Sequence, residues 1–304
     1  MDVEDGKLVA TLGTHFFSRT EEVEISGKTY EIPVREFPRL TMSATGEWKK
    51  LDVVNRVDDW YGQGKQCIET TADSQAAREF LQDSGVQVAE GDWYNESVQS
   101  CASDGQYNWG GITFYDSEGG WGVGGFVRQH LETGKIEYVR PTRGNLGMST
   151  GPLAYYAGEL WFGQTWFSEC AGPESGTGLK RLVFHDNSDS YRVEEVPEVC
   201  GFAIRDFQEF EGSLWVATEL GLSRLSEQDG EHWTNFVPDM SDPSLMREVE
   251  CDDLYAELLS SKTFAETEGF DLGYAFDDFW KRLSELRPEF VRRHLRKLHG
   301  LSPE

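Results

Sequence analysis

The sequence predicts a mainly β chain: a β-propeller of about five blades, each a four-stranded antiparallel sheet, with a helical appendage at its C-terminus. Three observations predict it. Short alternating runs of apolar and polar residues are separated by glycine-bearing turns, a tryptophan-centred pattern recurs through the middle of the chain, and the β patterning stops near residue 240. The domain reading is therefore a propeller over 1–240, with a helical insertion near 71–85, and a helical extension over 241–304.

Taken in order, 7–37 reads as three strands, "KLVATLGTHFF", "EEVEISG" and "TYEIPVREF", with Gly27-Lys28 as a hairpin turn. Residues 39–107 read as a blade carrying a long insertion. Within it "TADSQAAREFLQDSG" (71–85) is a helix with Asp73 as N-cap and Gly85 as its stop.

The clearest β segment is "GSLWVATELGLSRL" (212–225), followed by the Asp229-Gly230 turn and Trp233–Val237. Three short strands cannot bury both faces alone. A repeat resolves this. Trp161 matches Trp215, "GLKRL" (178–182) matches "GLSRL" (221–225), and Pro197 matches Pro238. The stretch 119–141 repeats the order once more, with Trp121 in the tryptophan place and Pro141 at the exit. A period of about 40–50 residues with four short strands per unit is what a propeller blade needs. On this reading Trp121, Trp161 and Trp215 occupy equivalent second strands. "GKLVATLG" near the N-terminus echoes the same unit, so the sequence starts inside a blade.

From Asp242-Pro243 the spacing turns helical. A first helix carries Leu245, Met246, Val249, Leu254 and Leu258, and a second carries Phe276, Phe279, Trp280 and Leu283. Pro288 opens a third, whose apolar stripe is Phe290, Val291, Leu295 and Leu298. That last helix also carries a cluster of basic residues, which is expected to dock against the protein's own carboxylates.

The unit 212–225 resembles the repeat of two-component regulator propellers, the periplasmic sensor modules that precede some bacterial hybrid histidine kinases. Gly212, Leu214, Trp215, Val216, Ala217, Thr218, Gly221 and Leu222 carry the resemblance. Gly158, Leu160, Trp161, Phe162, Gly163 and Gly178-Leu179 carry a partial second copy. The resemblance implies a propeller fold and, less directly, a sensing or binding role, because propellers host binders, scaffolds and enzymes alike.

Composition narrows the function classes. With 54 acidic against 28 basic residues the net charge is −26. A general nucleic-acid binder needs a basic face, and an anionic membrane surface repels such a chain. No stretch approaches a membrane span, and the N-terminus has no signal-peptide pattern. Five cysteines leave cytoplasmic and exported locations equally open. In an oxidising compartment the pairings expected are Cys170 with Cys200 and Cys67 with Cys101, leaving Cys251 free.

Motifs for chemistry are mostly missing. There is no phosphate-binding glycine loop, nucleophile elbow or zinc-ligand spacing, and no cofactor is expected. "HDNSDS" (185–190) alternates oxygen-bearing side chains but lacks the glycine and glutamate of a calcium loop, so it reads as a turn.

In a propeller the ligand meets the mouth of the central channel, lined by each innermost strand. The pattern places those strands at 110–116, 149–158 and 201–210. Candidate ligand-binding residues are then Trp109, Tyr115, Ser149, Thr150, Tyr155, Arg205 and Asp206. Aromatic faces with a few polar groups suit a peptide, a carbohydrate ligand or a partner protein, in a non-catalytic binding module. The alternatives are a propeller enzyme (a metal-dependent lactonase, a hydrolase or a lyase) and an acidic scaffold.

Overall fold

A computed structural model describes residues 1–11, 18–25, 28–35, 37–42, 47–54, 68–70, 75–85, 95–116, 119–140, 149–166, 175–184, 191–226, 232–239, 246–260, 281, 283–285 and 287–298. Strands come first: β1 (Asp2–Glu4), β2 (Lys7–Thr11), β3 (Ser18–Ile25), β4 (Lys28–Arg35), β5 (Phe37–Met42) and β6 (Trp48–Val54). β1, β2, β5 and β6 form the first antiparallel sheet, in that order, while β3 and β4 pair as a separate hairpin between β2 and β5. Helix α1 (Gln75–Asp83) follows, stopped where Gly85 adopts φ +84° and its N–H meets the Gln82 carbonyl at 2.9 Å. Asp73, its expected cap, lies outside the described residues.

Two meanders come next. β7 (Asn95–Ser103), β8 (Tyr107–Asp116), β9 (Gly119–His130) and β10 (Ile136–Val139) are the second sheet. β11 (Ser149–Tyr156), β12 (Glu159–Trp166), β13 (Ser175–Phe184) and β14 (Tyr191–Glu195) are the third. The fourth contains β15 (Ile204–Phe210), β16 (Ser213–Thr218), β17 (Leu222–Ser226), β18 (His232–Pro238) and β19 (Met246–Val249). Helices α2 (Cys251–Ser260) and α3 (Pro288–Leu298) complete the described elements.

The chain is thus mainly β, with four sheets of four or five strands among the described residues, against the about five expected. Clusters of buried side chains join the second sheet to the third, the third to the fourth and the fourth to the first. The remaining face of the second sheet is covered by Ala77, Phe80 and Leu81 of α1 and by Ile68. No buried cluster joins the first sheet to the second among the described residues, and no closed ring is shown.

The repeat has a physical basis in the ladder. In the third and fourth sheets the first and second strands are joined by tight turns, Ala157-Gly158 and Glu211-Gly212, with both residues at positive φ. That conformation matches the twist of paired strands, and glycine reaches it without steric cost. Three residues into the second strand stands a tryptophan: Trp109, Trp161 or Trp215, each nearly fully buried. Directly opposite, on the third strand, stands an arginine: Arg128, Arg181 or Arg224. Each guanidinium lies 5.5–5.9 Å from the indole centre, a cation–π row that shields the ring with charge. Two residues after the tryptophan comes Gly111, Gly163 or Ala217. A Cβ at Gly111 would lie 2.2 Å from the Thr150 carbonyl oxygen, and one at Gly163 would lie 2.5 Å from the Cβ of Ile204. The residue must be small because the next sheet's first strand packs there.

This corrects the tryptophan register. Trp121 lies in β9, a third strand, and Trp109 holds the place expected for Trp121. The stretch "GGWGVGG", expected as a second strand of its own, forms the start of the long third strand.

The C-terminal reading changes as well. Met246–Val249 is an edge strand of the fourth sheet rather than helix, so β structure continues past 240. Cys200 bonds Cys251, which the sequence reading had left free, and so cannot also bond Cys170. Spacing along the chain suggested a link within one blade, but the fold brings α2 onto the loop before β15. Cys101 is also disulfide-bonded, while Cys67 and Cys170 lie outside the described residues.

Candidate functional site

The first strands of the second, third and fourth sheets lie side by side, with β11 set beside both β7 and β15. Ser149, Thr150 and Tyr155 lie on β11, and Arg205 and Asp206 on β15, as the sequence reading expected. Trp109 and Tyr115 lie instead on β8, a second strand, because β7 precedes it as the first strand of the second sheet. Trp109 is 1 % exposed, its indole N–H donates to Asp104 Oδ2 at 2.7 Å, and its ring packs on Phe126, Phe184 and Tyr191. It is a core residue rather than a pocket residue. Thr150 is fully buried, and Tyr155 is partly buried, its hydroxyl pushed up by burial and by the Asp104 carboxylate. Asp206 accepts the Met1 ammonium at 2.5 Å, while Arg205 is exposed. The side chains of Ser149 and Tyr115 lie outside the described ones. Among the five whose side chains are described, Trp109 and Thr150 are buried while Arg205 is exposed.

The structure gathers a different group between the third and fourth sheets. A cleft of about 220 Å³ is lined by Tyr156, Glu159, Trp161, Arg181, Glu195 and Glu198, with Leu225 and Trp233 from the fourth sheet. Trp161 meets Trp233 edge-on at 5.6 Å and donates its indole N–H to the Tyr156 carbonyl at 3.2 Å. The Tyr156 hydroxyl in turn donates across the seam to the Gly212 carbonyl at 2.7 Å. Arg181 donates to Glu194 at 2.9–3.0 Å and to Glu159 at 3.1 Å. Burial works against its charge, but these two carboxylates outweigh it and lift its pKa above the ordinary arginine value. The guanidinium charge is therefore matched within the protein. Glu195 pairs with the buried Lys180 at 3.3 Å while staying largely exposed, and Glu198 is exposed. The cleft offers aromatic walls under a rim with surplus negative charge.

Sequence reasoning missed Glu159, Arg181, Glu195, Glu198 and Trp233 as neighbours. One signal was present: the arginine repeated in "GLKRL" and "GLSRL" marks the strand position opposite each tryptophan. Among the described residues, no group of three or more histidines, cysteines or acids is placed to hold a metal ion.

Comparison with known proteins leaves the family open. No family model matches the chain, and no curated protein matches it. Similar solved structures include the extracellular domain of a one-component system protein from B. thetaiotaomicron, at 12% identity and a TM-score of 0.31, over 81% of this chain and 35% of that one. They include a protein assigned as a 6-phosphogluconolactonase from Bacteroides fragilis, at 10% identity and a TM-score of 0.26, over 82% of each chain. A third is the Trypanosoma rangeli sialidase in complex with 2,3-difluorosialic acid, at 12% identity and a TM-score of 0.26, over 82% of this chain and 43% of that one. The chain spans about a third of the length of the first of these. These neighbours have varied roles and give no specific function.

Proposed function

We propose that this propeller-like protein is a non-catalytic binding module that recognises a basic segment of a partner protein. The observation that carries the reading is the cleft of the third–fourth seam. There Trp161 and Trp233 stand beside Glu159 and Glu198, while the one arginine in the lining is already paired. A lysine or arginine side chain satisfies both features, since its stem packs on the indole edges and its charge meets the acidic rim. The overall charge of −26 adds a long-range attraction that speeds encounter with a cationic partner. The cross-links at Cys101 and Cys200 suit an oxidising compartment.

Titration with a lysine- and arginine-rich peptide, followed by tryptophan fluorescence, tests the reading. Binding should weaken as salt rises. Replacing Glu198 by glutamine should lower affinity about two- to fivefold, since an exposed charge contributes about 0–1 kcal/mol. Salt-insensitive binding of a neutral oligosaccharide, with no binding of the basic peptide, would show the reading to be wrong.

A further inference from the structure

Three polar side chains face one end of the seam between the second and third sheets without a partner. Thr113 is 4 % exposed, Thr150 0 % and Gln164 1 %. Their Oγ1, Oγ1 and Nε2 atoms make no hydrogen bond. Buried polar groups in folded proteins almost always have a partner, so three orphans in one place call for a common cause.

The ladder shows that they are neighbours. Thr150 on β11 stands directly opposite Gln164 on β12, so both side chains leave the same face of the third sheet. Gln164 lies two residues beyond Phe162, which packs on Phe126 of the second sheet at 4.9 Å, so this face looks towards the second sheet. From the other side, Gly111 of β8 approaches the Thr150 backbone, and Thr113 follows it on the same face, the pairing with β9 running regularly from Gly111 to Thr113. The β11 ladder is itself interrupted between Thr150 and Leu153, which breaks the regular pairing beside the three groups.

We infer that Thr113, Thr150 and Gln164 enclose a binding site for an uncharged oxygen: an ordered water or the hydroxyl of a small polyol. The chemistry selects that class. The amide Nε2 can only donate, and each threonine hydroxyl both donates and accepts, so a hydroxyl oxygen completes all three. No charge is called for. Lys180, opposite Phe162 on the same face, is already paired with Glu195. The guest bridges the inner strand of one sheet to the second strand of its neighbour and helps hold the two sheets in register.

Thermal unfolding of Thr150→Val tests the site, because valine keeps the shape and removes the hydroxyl. With a guest bound, the melting temperature should fall by about 2–4 °C. Thr113→Val should act alike, and the double variant should lose less than the sum, since one guest is lost only once. If both valine variants melt at or above the parent temperature, the groups hold no guest and the inference is overturned. Millimolar glucose separates the two sources. A saturable rise in the parent melting temperature that is absent in Thr150→Val identifies a polyol hydroxyl. No rise, with the valine losses still present, identifies water.

Discussion

At the scale of single residues, the same side chain acts differently according to what stands opposite it. Glu137 accepts from Lys135 and Arg128, and those bonds hold its carboxyl below the ordinary value despite partial burial. Glu96 shows the reverse. Burial raises its carboxyl, and the bonds from Thr70 and Tyr138, which lower it, do not cancel the rise. A carboxyl raised in the folded state holds its proton more tightly folded than unfolded. Its effect on stability is therefore least harmful below the unfolded pKa, and stability falls as pH rises from there through the folded pKa. Glu96→Gln removes this dependence. The melting temperature of the variant relative to the parent should rise between pH 4 and pH 8, as followed by circular dichroism. A difference that stays constant across that range would mean that the Glu96 carboxyl titrates alike in the folded and unfolded states.

At the scale of elements, α3 shows how a helix is anchored. Basic residues find carboxylates as the charge pattern suggests, with Arg293 of the helix and Arg287 just before it on Asp252 at 2.6 and 3.3 Å. The apolar stripe is narrower than the sequence predicted. Phe290 and Val291 are buried with Tyr255, Leu254 and Leu283, whereas Leu295 is 39 % exposed. Among its described side chains, those of the first turn, Phe290 and Val291, face the core. Phe290→Ala should therefore cost about 3 kcal/mol and open the tail to protease. Leu295→Asp and Arg293→Ala should each have little effect, because an exposed ion pair contributes only about 0–1 kcal/mol. Equal protease sensitivity in Phe290→Ala and Leu295→Asp would contradict this orientation.

At the scale of the whole molecule, the C-terminal segment is part of the fold. Tyr255 stacks on Phe202 at 6.0 Å and accepts the Gly201 N–H at 3.1 Å, and Arg287 donates to the Pro197 carbonyl at 2.6 Å. All three contacts fall on the loop between the third and fourth sheets, and the Cys200–Cys251 bridge fixes the same place across a separation of 51 residues. Closing a loop of that length stabilises by about 4 kcal/mol on the chain-entropy model. Cys251→Ser should lower stability by an amount of that order in a denaturant titration. It should also make 251–298 the first region to exchange amide hydrogens. If the sheets and this segment lose protection together, the bridge holds the whole molecule and not this seam alone.

The sequence by itself determined the kind of sheet and the repeat. Trp161 and Trp215, the turns at Gly158 and Gly212, and the small residue two places after each tryptophan were legible because each meets a local demand: backbone handedness, strand alternation and the close approach of the next sheet. The stop of α1 at Gly85 was legible for the same reason. The tertiary structure alone decided which strand counts as first in the second sheet, which cysteine reaches Cys200, and which acids gather round Trp161. Those outcomes depend on contacts between residues far apart in the chain. Glu159 and Glu198 approach one cleft only once a sheet has folded and its neighbour has packed against it, and no local pattern records that meeting. The sequence around Trp121 fits a second strand by its tryptophan alone, yet pairing with β8 makes it the start of a third.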